Sequence, residues 1–197
     1  MTLHRATESE MLYVIKKHRA TSLHYDLRLR WNWAMLSWAI PQGLSYCPEH
    51  RRKAIQVEDH ERKNAGFEGV IPEGRYGAGE VMLWDRGTWA PQPECADVDA
   101  GLRDGCLKFT VHGEKIKGNW TLVRIAEADS NAPRPLWLLS KDPDQFARTA
   151  HQPSIIDEAP NSVATGRSLQ EIARDWVKGK SKSTSQWDLF QSIPEDE

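Results

Sequence analysis

The sequence predicts a mainly β fold: a compact β-barrel of short antiparallel strands, with a few short helices and a C-terminal helix and tail. Three observations carry that prediction. Short apolar or alternating runs follow one another from Tyr13 to about Ile125, broken by Gly, Pro, Asn and Asp turn signals. Helical periodicity is scarce. And the stretch "KKHRATSLHYDLRLR" at 16–30 alternates with period two, setting an apolar row of Tyr25, Leu27, Leu29 and Trp31 against a polar row of His24, Asp26, Arg28 and Arg30. So many short strands in series favour a barrel over a sandwich.

In chain order, "MLYVIKKH" is apolar and β-branched enough for a strand. "HYDLRLRW" and "AMLSWAIP" flank a short connection at Asn32, which reads as a hairpin. Its two indoles, Trp31 and Trp33, are expected either to pack across the hairpin or to offer a stacking platform for a base. "RKAIQVEDH" alternates again, with Ala54, Gln56 and Glu58 on one side and Ile55, Val57 and Asp59 on the other. A glycine-rich stretch leads to a strand at Val81 to Trp84, followed by an Asp85-Arg86-Gly87 turn. "CLKFTVHG", "NWTLVRIA" and "PLWLLSK" supply three further strands, and Trp38, Trp84, Trp89, Trp120 and Trp137 are expected in the core.

Two helices are legible. Asp97 to Arg103 makes a short one stopped before Gly105. "SLQEIARDWVKG" has Ser168 as N-cap, Glu171 completing a capping box and Gly179 at its end. The expected organisation is an N-terminal arm over 1–12, a barrel domain over 13–150, and a linker, helix and polar tail over 151–197, with "WDLF" in the tail as a docking patch.

The 197 residues are 39% hydrophobic and 27% charged, which suits a globular domain with a real core. A net charge of −2 rules out a polycation, so any nucleic-acid contact must come from a local basic patch. Cys47, Cys95 and Cys106 form neither a zinc pattern nor a disulfide framework, which suits a reducing compartment. With no apolar leader and no run of transmembrane length, a soluble cytoplasmic protein with no membrane partner is expected.

The polar row is the unusual feature, because exposed strand faces usually mix Thr, Ser, Lys and Glu. His18, Asp26 and His60 together would give two imidazoles and one carboxylate, an open-sided ligand set for manganese or iron that leaves positions for phosphate oxygens. Arg28, Arg30, Arg51, Arg52 and Lys53 supply positive charge of the kind phosphoryl groups bind. The glycines at 69, 74, 77 and 79 read as turn residues, Glu68 and Glu73 as structural or solvated, and His112 as a histidine without a ligand role.

The order "KH", "LHYDLRL", "SWA.P.G", "VEDH", "FEGVIPEG.YGAG" and "WDRGTW", followed by "KGNWTLVRI" and "LWLLSKDPDQFA", resembles the 3′-phosphoesterase domain of bacterial DNA ligase D from about Tyr13 to Ala147. The resemblance implies that His18, Asp26 and His60 bind Mn²⁺ or another divalent transition metal, that His24 faces the scissile phosphate, and that Arg28 and Arg52 act on phosphate. It also implies a supporting role for Glu58, with Arg30, Gln42 and Lys53 lining the substrate pocket. The implied substrates are DNA or DNA–RNA primer–template 3′ ends, from which a terminal ribonucleoside and then the 3′-phosphate are removed. The implied partners are an end-joining ligase, polymerase or Ku. Two positions depart from the family's pattern. Gln42 stands where a lysine is usual, removing a cation, and Asn64 stands where a tyrosine is common. A non-catalytic module that grips 3′ ends is the alternative those departures support.

Overall fold

The structure, a computed structural model, describes residues 11–60, 65–129 and 132–177, and of His60 and Val177 the backbone alone. Most of the N-terminal arm, Asn64, Gly179 and the tail with its "WDLF" patch lie outside the described residues. Among the described residues the strands are β1 (Leu12–Arg19), β2 (Leu23–Trp31), β3 (Ala34–Ile40), β4 (Arg52–His60), β5 (Gly69–Ile71), β6 (Gly79–Pro91), β7 (Cys106–Gly113), β8 (Lys117–Ala126) and β9 (Leu136–Lys141). Their order is β1-β2-β3-β4-β9-β8-β7-β6, all antiparallel, and β6 pairs back onto β1 to close the barrel. Closure depends on the length of β6, which pairs with β1 over Glu80–Thr88 and with β7 over Gly87–Pro91. The short β5 was not legible as a strand; it adds to the free side of β6, outside the ring.

The five expected tryptophans are all buried in the interior, where Trp38 meets Trp137 edge-on at 6.0 Å between ring centroids. Tyr13, Ile15, Tyr25, Leu27 and Leu29 join them from β1 and β2. A second, smaller cluster of Val14, Met35, Ala65 and Leu83 forms on the opposite side of the wall, packed by Val163 and Ala164. The barrel wall here is therefore buried on both faces, and the polar row of β2 is not a solvated surface.

The second layer comes largely from the chain after residue 150. It carries α2 (Ile155–Glu158), which was not anticipated, and α3 (Leu169–Val177). The Glu171 carboxylate accepts from the Ser168 backbone N–H, and the Glu171 N–H donates to the Ser168 hydroxyl, which is the capping box read from the sequence. Leu169 and Ile172 bury the apolar side of α3, and Glu68 accepts from Thr165, Arg167 and the Leu83 amide, pinning the connecting loop. Glu68 is thus structural, as expected. The short helix α1 (Val98–Asp104) has Asp97 accepting from the Ala100 amide at one end and left-handed Gly105 at the other.

Three strand expectations need correction. The turn expected at Asp85-Arg86-Gly87 does not form, because these residues lie inside the continuous strand β6 and pair with Ile15, Val14 and Tyr13 of β1. Between Met35 and Ser37 the β3–β4 register slips, so that Ser37 pairs with Val57 and Met35 with His60. One residue on β3, Leu36, therefore faces two on β4, Glu58 and Asp59: a β-bulge that breaks the strict alternation expected there. The hairpin indoles also divide. Trp31 packs on Trp89 and donates its indole N–H to Asp99 of α1, whereas Trp33 is 93% exposed at the tip beside left-handed Asn32.

Candidate active site

The polar side of β1 and β2 gathers at one end of the barrel, where β1 finishes and β2 begins. His18 is paired with His24 across the ladder, and Asp26 lies one step along the same face. The imidazole centroids are 4.8 Å apart. His18 Nδ1 lies 3.6 Å from Asp26 Oδ2, and His24 Nε2 lies 3.3 Å from Asp26 Oδ1. All three residues can offer ligand atoms within 4.8 Å of one another.

The outer nitrogens explain the orientation of both rings. His18 Nε2 is 3.0 Å from the Gly77 carbonyl, and His24 Nδ1 is 3.0 Å from the Ser22 carbonyl. A carbonyl oxygen only accepts, so each contact places a proton on that nitrogen. In the neutral rings, His18 Nδ1 and His24 Nε2 are then left as lone pairs facing the two oxygens of an ionised carboxylate. Acceptors facing acceptors repel unless a proton or a cation lies between them. Backbone carbonyls that fix the tautomer of metal-ligating imidazoles are a recurrent feature of metal sites. The donor set of two nitrogens and one carboxylate suits a first-row divalent ion with positions open to water or phosphate. The cluster fits a metal.

Electrostatics around Asp26 point the same way. Burial pushes its carboxyl up, but His18 and His24, where a proton bridges ring and carboxylate in the metal-free cluster, and the charges of His24 and Arg28 outweigh that and hold it well below the usual carboxylate range. Its hydrogen bond to Asp26 raises His24 against the opposing effect of burial. Lys16, on the same face, is lowered to about 7 by burial and by Arg28, with Asp26 and Glu68 opposing. Arg28 Nη2 sits 3.6 Å from Asp26 Oδ2, while its Nε is buried without a hydrogen-bond partner among the described residues. A buried guanidinium N–H left unmade is costly, roughly 1–3 kcal/mol, and is well placed to receive an anion.

Several residues singled out in the sequence are brought together here: His18, His24, Asp26 and Arg28, with Arg30 buried two steps along. The described cluster sets His24 beside His18 and Asp26, where the sequence reading set His24 against phosphate and placed His60 among the ligands. His60 ends β4 opposite Met35, which itself pairs with Arg30; its side chain lies outside the described residues. Arg52 shares the parity of Ala54 and Gln56 at the start of β4, and its buried Nε has no partner among the described residues. Gln42 is exposed in the turn just beyond β3. Lys53 and Glu58 are exposed, and among the described residues no hydrogen bond or ion pair ties them or Arg52 to the cluster. The sequence reading overlooked Lys16 and the loop 72–78, whose Gly77 carbonyl positions His18. The signal for the first was its place at even spacing from His18 on one strand face.

Fold and cluster together define a barrel protein whose wall carries a metal-ligand set flanked by buried cations. The model of the DNA ligase D 3′-phosphoesterase domain matches residues 16–124, over half of the sequence, and the chain belongs to that family. The multifunctional non-homologous end joining protein LigD of Pseudomonas aeruginosa is 42% identical over 157 residues, covering 80% of this chain and 18% of that protein. Its namesake in Mycolicibacterium smegmatis is 32% identical over 186 residues, covering 92% of this chain and 22% of that protein. The chain thus spans about a fifth of the length of these curated relatives.

Proposed function

We infer that this protein is a manganese-dependent 3′-phosphoesterase that trims DNA or DNA–RNA primer–template ends for non-homologous end joining. It removes a terminal ribonucleoside, then the resulting 3′-phosphate, and leaves a 3′-hydroxyl. The observation that carries this reading is the pair of lone-pair nitrogens, on His18 and His24, turned toward Asp26 beside an arginine with an unmade N–H. Family membership and the end-joining relatives support the choice of DNA ends over a small phosphorylated metabolite.

His18, His24 and Asp26 would hold the metal. Bound there, Mn²⁺ supplies Lewis-acid polarisation of a phosphoryl oxygen. Arg28 orients the phosphate through its unmade N–H and stabilises charge on the equatorial oxygens, with Arg30 and Lys16 adding to the local field. In this reading both nitrogens of His24 are engaged, so it acts as a ligand and not as the group that protonates a leaving oxygen. His60 would be a further ligand to the metal, and Arg52, Lys53 and Glu58 would complete the pocket, as the family resemblance implies. Gln42 offers a neutral amide at the rim where the family has a cation, so monoester cleavage is the slower step. The setting is the cytoplasm at the nucleoid, with an end-joining ligase, polymerase or Ku as partners.

The test is incubation with MnCl₂ and a 5′-labelled primer–template ending in one ribonucleotide. The expected products are first a 3′-phosphate and then a 3′-hydroxyl primer, and EDTA abolishes both. Tight binding without any product would instead establish the non-catalytic, end-gripping module that Gln42 favours.

A further inference from the structure

The loop Pro72 to Ala78 has no part in the metal set, yet it is fastened to it. His18 donates to the Gly77 carbonyl at 3.0 Å, and a Cβ built on Gly77 would lie 3.7 Å from His18 Cε1. Two successive turns hold the loop's shape, with the Arg75 amide bonded to the Pro72 carbonyl and the Ala78 amide to the Arg75 carbonyl. Gly79 anchors its exit: a Cβ there would fall 2.1 Å from the Arg19 carbonyl, so only glycine lets β6 approach the end of β1. At the crest stands Tyr76, 73% exposed. It adjoins Gly77, whose carbonyl holds His18 of the ligand cluster.

The two turns fix the loop backbone, so presenting the ring costs little further backbone ordering on binding. Beside it are the buried cations and the ligand cluster that receive a phosphate. Nucleobases offer flat apolar faces one sugar away from each phosphate, and exposed aromatic rings along such grooves stack them without regard to sequence. We propose that Tyr76 forms a nucleobase subsite, stacking on the base of the nucleoside next to the phosphate that Arg28 and the metal cluster hold. The proposal deepens the 3′-end reading and rests on it. Loop and cluster are one unit, because the carbonyl that fixes the tautomer of His18 belongs to the residue after the stacking ring.

The experiment measures binding of a fluorescein-labelled, single-stranded oligonucleotide to the full chain by anisotropy, in EDTA and at one fixed salt concentration, so it does not depend on turnover. One set of oligonucleotides ends in a 3′-phosphate and the other in a 3′-ribonucleotide. Each is made with a normal or an abasic residue flanking the reactive phosphate. Tyr76→Ala is expected to weaken binding of the normal strand by on the order of 10-fold, Tyr76→Phe to keep wild-type affinity, and the abasic strand to bind wild type and Tyr76→Ala alike. An effect confined to the ribonucleotide-ended strand assigns the stacked base to the leaving nucleoside; an effect on both strands assigns it to the retained one. Unchanged affinity in Tyr76→Ala, or a tenfold loss for the abasic strand that persists undiminished in that variant, overturns the subsite. Absence of phosphoesterase activity in the wild-type protein would overturn the enzymatic reading while leaving this binding test decisive for Tyr76.

Discussion

Asp26 and Asp85 are both buried carboxylates on the barrel wall, and they are solvated by the protein in opposite ways. Asp85 accepts three hydrogen bonds at 2.8 Å, from the Tyr13 hydroxyl and the amides of Lys115 and Ile116, where the β7–β8 turn meets β1 and β6. Among the described residues, Asp26 is met by looser neighbours, two imidazoles and a guanidinium at 3.3–3.6 Å. Burial dominates at Asp85, whose carboxyl is raised despite its bonds, whereas imidazoles and cations dominate at Asp26 and hold it down. A saturated carboxylate is finished and holds the fold together. One surrounded by groups at ion-pair distance is an incomplete coordination sphere, and that is the signature of a site.

The largest effects should come from breaking this contrast at Asp26. Asp26→Ala is expected to reduce phosphoesterase activity to background and abolish metal binding, while the melting temperature of the metal-free protein shifts only slightly; calorimetry and the primer assay check both. Asp85→Ala should do the reverse. It strands a hydroxyl and two amides, at a cost of roughly 3 kcal/mol or more, which for a domain of this size lowers the melting temperature by about 6–12 °C. Its metal stoichiometry per folded molecule should stay at the wild-type value.

A pH series sharpens the comparison. The folded carboxyl of Asp85 binds its proton more tightly than the ordinary value of 3.8 implies, so its contribution to stability is present below that pH and is lost as pH rises through the raised value. The gap in melting temperature between wild type and Asp85→Asn should therefore narrow as pH is raised from 3.8 toward neutrality. A gap that widens over that range would mean that Asp85 is not raised.

The smallest effect concerns the far end of β2. Trp33 lies beyond Asn32, seven residues from Asp26 and so roughly 20 Å along the strand. Trp33→Ala should leave both melting temperature and 3′-end affinity at fixed salt unchanged. Trp31→Ala, by contrast, should lower the melting temperature by several degrees, because it frees α1 and uncovers Trp89. Weaker binding by Trp33→Ala at unchanged stability would restore the stacking platform at the hairpin tip.

Much of this was legible in the sequence. Period-two alternation marked β1 to β4 and β7 to β9, and Asp97, Gly105 and the Ser168–Glu171 pair marked two helices, since each signal is local. The ring closure was not legible in detail, because pairing of β6 with β1 joins residues some 70 positions apart and depends on the length of one strand. The identity of the clustered ligands was only partly legible. Alternation put His24, Asp26 and Arg28 on one face, but which imidazole nitrogen points where depends on the carbonyls of Ser22 and Gly77, and the second of these is 59 residues from His18. The partners of Glu68 and the packing of the chain after 150 against the wall were hidden for the same reason, as Glu68 meets Thr165 and Arg167, 97 and 99 positions away.

The central claim is that His18, His24 and Asp26 form one metal site, and manganese titration followed by electron paramagnetic resonance tests it most directly. The free aqueous Mn²⁺ signal, read against protein concentration, should show one bound ion per chain in the wild-type protein and none at the same concentrations in His24→Ala or Asp26→Ala, with folding verified by melting temperature. Retention of one tightly bound ion per chain in both variants would contradict the assignment.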